Sequence, residues 1–337
     1  MPSIIEEFED LRRSNLNLRA RDAAERLGTT EAALVACSAT GPATPLRPDW
    51  SGLVTGLRTL GSVMALTRNT HAVHERHGRY EDVSAGPSHI LVLGPDIDLR
   101  LFPRRWAHAY ALGGERPSLQ IFDRDGEAAH KVFATAATDR VAWDRLVEDF
   151  ASPAAASPPE RVVPAALPEP EGLVDATALR ADWLALRDTH DFFPLLRRHK
   201  ASRRQALQLA GEDLSLRVNN DAARSLLEVA AAGGLPIMVF VGNRNAIQIH
   251  TGPVQRLRAT AGWFNVLDPG FNLHLREAGV ASAWRVVKPT ADGPVTSLEL
   301  LDAAGGVVAQ FFGARKPGQP ELAQWRELVA DTLVVPA

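Results

Sequence analysis

Residues 186–200, LRDTHDFFPLLRRHK, set one histidine, His190, just ahead of Phe192 and Phe193 and a run of cations. A neutral imidazole is a common metal ligand. Two neighbouring phenylalanines offer flat apolar area, and Arg197, Arg198, Lys200, Arg203 and Arg204 offer charged donors to an anion. Further on, VVKPTADG and AQFFGARKPG add Lys288, Arg315 and Lys316. Two readings of His190 stand side by side: a residue that orders a helix start, or a ligand. Pro194 costs no helical hydrogen bond only if the helix starts at about Asp191, which puts His190 at the boundary. His199 is the second histidine of the stretch and the first substitute as a ligand. For most of the cations a solvated helix face is a sufficient account.

A second cluster, HAVHERH, holds His71, His74 and His77. Its spacing invites a metal reading, but an extended segment would send His71 and His77 to one face and His74 to the other. Ordinary sheet or surface histidines are expected there.

The elements that must position these residues are written twice. VMALTRNTHAVHERHG matches IMVFVGNRNAIQIHTG at a constant offset of 174 residues, pairing Met64 with Met238, Asn69 with Asn243 and Gly78 with Gly252. The same offset aligns DIDLRLF with GFNLHLR, and SLQIFDRDGEAAHKVF matches SLELLDAAGGVVAQFF at an offset of 179. Trp143 and Trp325 close the two copies. Four matched blocks in one order imply a duplicated fold. Between the copies, residues 151–172 hold six of the 23 prolines and read as a Pro/Ala-rich linker. The expected division is therefore 1–150, a linker at 151–172, and 173–337. Within each copy helices come first, then short segments of period-two patterning, then a closing helix. NAIQIHTG, FNLHLR, ASAWRVV and TSLELLD read as an antiparallel meander, and Ser202 with Gln205 forms a capping box that opens a helix. Each copy is thus α+β, with helices against a sheet.

The copies differ where chemistry would differ. The first has no histidine before His71, so His190 has no counterpart. Arg100 stands where His274 stands, and its side chain shares a face with Phe102.

Composition narrows the function classes. With 337 residues, 45% of them hydrophobic, the chain can bury sizeable cores, and a net charge of -3 leaves no global basic field to gather nucleic acid. Any anion site must be local. A single cysteine, Cys37, excludes an intramolecular disulfide framework and a thiolate zinc cluster. The acidic amphipathic start, MPSIIEEFEDLRR, lacks the pattern of a signal peptide, and no run is long enough to span a membrane. A cytoplasmic protein with no membrane insertion is expected.

Together DTHDFFPLLRRH, LPIMVFVGNR, IQIHTGPVQ, NVLDPGFNLHLRE, WRVVKPTADGPVTSLEL and AQFFGARKPG resemble the bacterial haemin-degrading or haemin-transport factors of the HemS, ChuS and HmuS type. The likeness spans nearly the whole chain, and internal duplication is itself a property of that family. It implies two homologous repeats, each a large antiparallel sheet packed with helices, with haem held where the halves meet. It also implies that His190 ligates the haem iron, that Arg100 lies on the opposite haem face, and that Arg203, Lys288, Gln310 and Arg315 contact the propionates. Phe312 stands where some members carry tyrosine. Phe102, Phe192 and Phe193 would cover the flat faces of the macrocycle.

The function so implied is uptake of imported haem and its reductant- and oxygen-dependent degradation for iron. Arg100 would stabilise charge developing on oxygen while His190 holds the iron. The rival is a non-catalytic haem chaperone or store that delivers its cargo to a separate haem oxygenase. A duplicated scaffold for a protein partner is the third class. A haem ABC importer is an expected partner, and the chain would act as a monomer or homodimer.

Overall fold

The computed structural model describes residues 3–16, 18–152, 172–316 and 318–332. The proline-rich stretch read as a linker lies outside them from 153 to 171. The described strands fall into two nine-stranded sheets. The chain divides into two compact units: one built from residues up to 68, 75–152 and 243–248, the other from 69–74, 172–242 and 249 onward.

The first unit sets Ala43–Pro45, Trp106–Leu112, Ser118–Asp123, Ala128–Thr138 and Gly61–Arg68 side by side, each antiparallel to the next. A separate three-stranded meander runs through Val83–Ala85, Ile90–Leu93 and Asp98–Leu101. Val63, Ala65, Leu119, Ile121 and Val132 bury one face of the five strands together with Trp143 and Leu146 of the closing helix Arg140–Phe150. The second unit repeats the plan. Ser215–Val218, Ser282–Lys288, Val295–Leu301, Val307–Gly313 and Ile237–Asn243 form its five antiparallel strands. Leu257–Thr260, Trp263–Asp268 and Phe271–Leu275 form its meander. Trp325 of the closing helix Ala323–Thr332 is fully buried, and its indole N–H donates to Thr296 O at 2.9 Å. Gly313 permits that approach, because a Cβ there would stand 2.6 Å from Trp325 Cγ.

The expected single meander is corrected. Phe271–Leu275 pairs with Trp263–Asp268, whereas Ser282–Lys288 pairs with Val295–Leu301 and Ser215–Val218, and a 3-10 turn at Glu277–Gly279 separates the two groups. Period-two patterning identifies strands without naming their neighbours. The histidine cluster also departs from expectation. The strand is Ala72–Gly78, with His74 fully buried and His77 half-buried, but His71 lies in the bend before it. That bend is made by Asn69, whose Oδ1 accepts from the N–H groups of His71 and Ala72 at 3.0 and 2.9 Å.

The matched asparagines do the same work in each unit. Asn69 Nδ2 donates to Gly242 O at 3.0 Å and Val308 O at 2.8 Å. Asn243 Nδ2 donates to Arg68 O at 2.9 Å and Ala129 O at 3.1 Å, while its Oδ1 accepts from Asn245 and Ala246. Each amide thus satisfies four backbone groups that a strand ladder would leave unpaired. Asn243→Ala is expected to lower the unfolding free energy by about 2–4 kcal/mol, because those groups lose their partners together. Urea unfolding measures it, and a loss below about 0.5 kcal/mol would show that the turn holds itself.

Candidate functional site

His190 lies in the 3-10 turn Thr189–Asp191 that leads into the helix Phe192–Arg198, at the boundary position that Pro194 requires. Asp188 caps the turn: its Oδ1 accepts the His190 backbone N–H at 2.8 Å and the ring Nδ1–H at 2.6 Å. A carboxylate only accepts, so the imidazole proton sits on Nδ1 and the lone pair on Nε2. The backbone N–H of His190 is the main reason Asp188 stays below the usual carboxylate range, with the ring and Arg315 adding to it against burial. With the side chain 88% exposed, Nε2 faces solvent. His199 is placed differently: its Nε2 is tied to Asp182 at 2.8 Å, and it is largely covered.

The two phenylalanines after His190 separate. Phe193 is 63% exposed, an aromatic ring left in water three residues after His190. Phe192 is corrected from ring cover to core, since it is buried against Trp183 at 4.5 Å between centroids. On a helix consecutive residues point about 100° apart, so only one of the pair can face out.

Against the Phe192 ring lies a buried charge cluster. Lys288 and Glu299 are buried on adjacent strands, and Lys288 Nζ donates to Glu299 Oε1. Arg203, second residue after the Ala201 turn and first of the helix Arg203–Leu209, donates to the other oxygen, Oε2. The capping box of Ser202 and Gln205 that opens this helix is formed as expected. The Lys288 ammonium and the Arg203 guanidinium also flank one ring, at 4.5 and 5.1 Å from the Phe192 centroid. Burial alone would raise the Glu299 carboxyl, but Arg203 and Lys288 outweigh it and hold it at about 2. Burial lowers Lys288, partly offset by Glu299. Two cations on one carboxylate leave a net positive charge.

Gln310 is the register partner of Glu299 on the next strand and is half-buried. Phe312, two residues on, packs edge-on against Phe240 at 4.9 Å. Arg315 lies 3.7 Å from Asp292 in the hairpin turn after Lys288. That turn is itself tied to the residues before His190 by Ala291 N–H donating to Arg187 O at 2.9 Å. Exposed Arg198 pairs with half-buried Asp182, and Arg204 donates to Ala303 O. Thus His190, Arg203, Lys288, Gln310 and Arg315 all belong to the second unit. Arg100 and Phe102 belong to the first unit, where the Arg100 guanidinium is engaged by Asp98 and Leu99 O.

Two residues escaped the sequence reading. Asp188 was visible only as a neighbour two positions away, and Glu299 as one charge inside the apolar run TSLELL, a position that demands a buried partner.

The family model described as the haemin-degrading HemS.ChuX domain matches this chain twice, over residues 28–150 and 200–332. The chain belongs to this family. The double match is the duplication read from the sequence, and two sheets of nine antiparallel strands with helices are the expected architecture. Among HemS-family relatives, the hemin transport protein HemS of Yersinia enterocolitica is 40% identical over 335 residues, covering 97% of this chain and 96% of that one. The solved structure of holo-PhuS, a heme-binding protein from Pseudomonas aeruginosa, superposes with a TM-score of 0.94 at 47% identity, covering 98% and 99% of the two chains. ChuS, titled an E. coli heme oxygenase, follows at a TM-score of 0.88 and 37% identity over 98% and 99%. No helix among the described residues is long and apolar enough to cross a membrane.

The cluster predicts an acid limb of stability. Because the folded-state pKa of Glu299 lies below its ordinary 4.5, its contribution is present above that value and is lost as pH falls toward 2. Glu299→Gln should remove about 3 kcal/mol of the pH-dependent loss between those limits, measured by urea unfolding at a series of pH values. Identical limbs in both proteins would mean that Glu299 is not ionised in the fold.

Proposed function

We propose that this chain binds haem, with His190 Nε2 as the axial donor to the iron, and takes part in the oxidative opening of the macrocycle that frees the iron. The observation that carries the reading is the exposed imidazole whose Nδ1–H is held by Asp188. A carboxylate behind a ligating histidine fixes the tautomer and raises the basicity of the nitrogen that faces the metal. The residues around it fit the rest of the ligand. Phe193 offers an exposed ring to a flat apolar surface. The excess positive charge of Arg203 and Lys288 over Glu299 suits a propionate, and Arg315 a second one.

Haem supplies the iron and the conjugated ring on which redox chemistry occurs. The protein's part is to keep a proton at Nδ1, to hold the propionate oxygens, and to place Arg100 where it stabilises negative charge developing on oxygen. Arg100 would exchange its pairing with Asp98 for that task. The names of the relatives, a hemin transport protein, a heme-binding protein and a heme oxygenase, support the ligand. We place the chain in the cytoplasm, receiving haem after import.

His190→Ala should abolish the imidazole-ligated Soret and visible spectrum of ferric haem. Asp188→Ala, which keeps the ligand and loses its support, should weaken binding by about 10–100-fold. Wild-type spectra and affinity in His190→Ala would transfer ligation elsewhere, with His199 next to test. For turnover, Arg100→Ala should keep the ferric complex and lose regiospecific ring opening in single turnover with reductant, catalase present. If catalase abolishes all Soret decay in the unchanged protein, free peroxide attacks a passively held haem and the chaperone reading replaces the enzymatic one.

A further inference from the structure

We infer that Glu299 is a positioning residue of this site: it holds one cation on each carboxylate oxygen, keeps Lys288 as an ammonium inside the protein, and leaves a single net positive charge for an incoming carboxylate. The inference rests on the haem reading only in naming that carboxylate as a propionate.

The duplicated fold supplies an internal comparison. At the offset of 179 the first copy carries Ser118 and Gln120 where the second carries Ser297 and Glu299. Gln120 is also buried, and its amide donates to Ser118 Oγ at 3.0 Å. In the second copy the Ser297 hydroxyl donates to Glu299 Oε1 at 3.3 Å. A neutral side chain of the same shape therefore fits this strand position, and the scaffold does not require the charge. Register extends the comparison. Gln120 opposes Tyr110 as Glu299 opposes Trp284, but the first ladder ends at Leu112 opposite Ser118, whereas the second runs on to Lys288 opposite Val295. The first copy places its buried ammonium elsewhere: Lys131, the register partner of Gln120 on the next strand, is paired with Glu31 from a helix, so a carboxylate at this strand position belongs to the second copy alone.

The surroundings of Lys288 explain the coupling. Glu299, which also accepts from the Ser297 hydroxyl, faces it from the neighbouring strand, Arg203 meets the same carboxylate from the helix that opens at Ser202, and the Phe192 ring lies against it from the helix after His190. Burial and the Arg203 charge both favour loss of its proton; Glu299 opposes them through its charge and its hydrogen bond. Without Glu299 both opposing contributions vanish, and the ammonium would stand unpaired beside a guanidinium. The site would then lose its second cation as pH rises.

The test uses the full chain labelled at lysine Cε, with Lys288→Met to assign the signal. In the ligand-free protein, Glu299→Gln should move the Lys288 titration to lower pH by at least about one unit, and Glu299→Asp should restore it in large part. An unmoved resonance in a folded Glu299→Gln protein overturns the inference. Should that variant fail to fold, Glu299→Asp decides: its shorter side chain sets the carboxylate farther from Lys288, so a small residual shift to lower pH must remain, and a resonance identical to that of the unchanged chain overturns the inference. Haemin binding is the second readout. Relative to the unchanged chain, Glu299→Gln should lose about tenfold in affinity between pH 6.5 and 9, and the double variant with Lys288→Met should be flat. A shifted resonance with haemin affinity unaffected would leave Glu299 its role in holding the ammonium and overturn the assignment of that cation to a propionate.

Discussion

The second unit is organised around a carboxylate that has been taken out of water and given two cations. An isolated Glu299 at that depth would be neutral or would destabilise the strand that bears it. Its two oxygens instead draw Lys288 from the adjacent strand and Arg203 from the helix above the sheet. This one ion cluster ties the helix that opens at Ser202 to the sheet and sets which way the lysine points. Phe192 completes it: by turning inward it gives both cations a ring face, and by doing so leaves Phe193 outward.

Duplication explains why such a costly arrangement can exist. Two copies of the same five-strand and three-strand plan allow one to carry a neutral Gln120 while its twin carries an ionised glutamate. What is shared between the copies is backbone economy: the asparagine turns, the closing tryptophans and the buried strand faces. What differs is charge and imidazole, the groups a ligand would meet.

Much of this was legible in the sequence because it is periodic or punctuated. The repeat stood out through Met64 and Met238, Asn69 and Asn243; the strands through alternation; the helix after Ala201 through Ser202 and Gln205. The boundary position of His190 followed from Pro194. What was not legible depends on partners distant in sequence. Alternation did not tell that Phe271–Leu275 and Ser282–Lys288 part company, because pairing is settled by hydrogen bonds to other strands. Two adjacent phenylalanines look alike until the helix phase separates them. Glu299 was passed over because a charge within an apolar strand has meaning only once Lys288 and Arg203 are seen to converge on it.

The asparagine turns carry a consequence for how the chain reaches its native state. The second unit uses residues 69–74 and the first uses residues 243–248, so each is closed by a segment belonging to the opposite half of the sequence. Asn69 finds Val308 O only after 239 residues of separation. Contacts of that range pay their loop-closure entropy before they return any stabilisation, and they slow folding relative to local structure. On the ribosome, the N-terminal copy therefore emerges without the segment 243–248 that completes its unit and must wait, partly assembled, until the stretch around Asn243 has been synthesised.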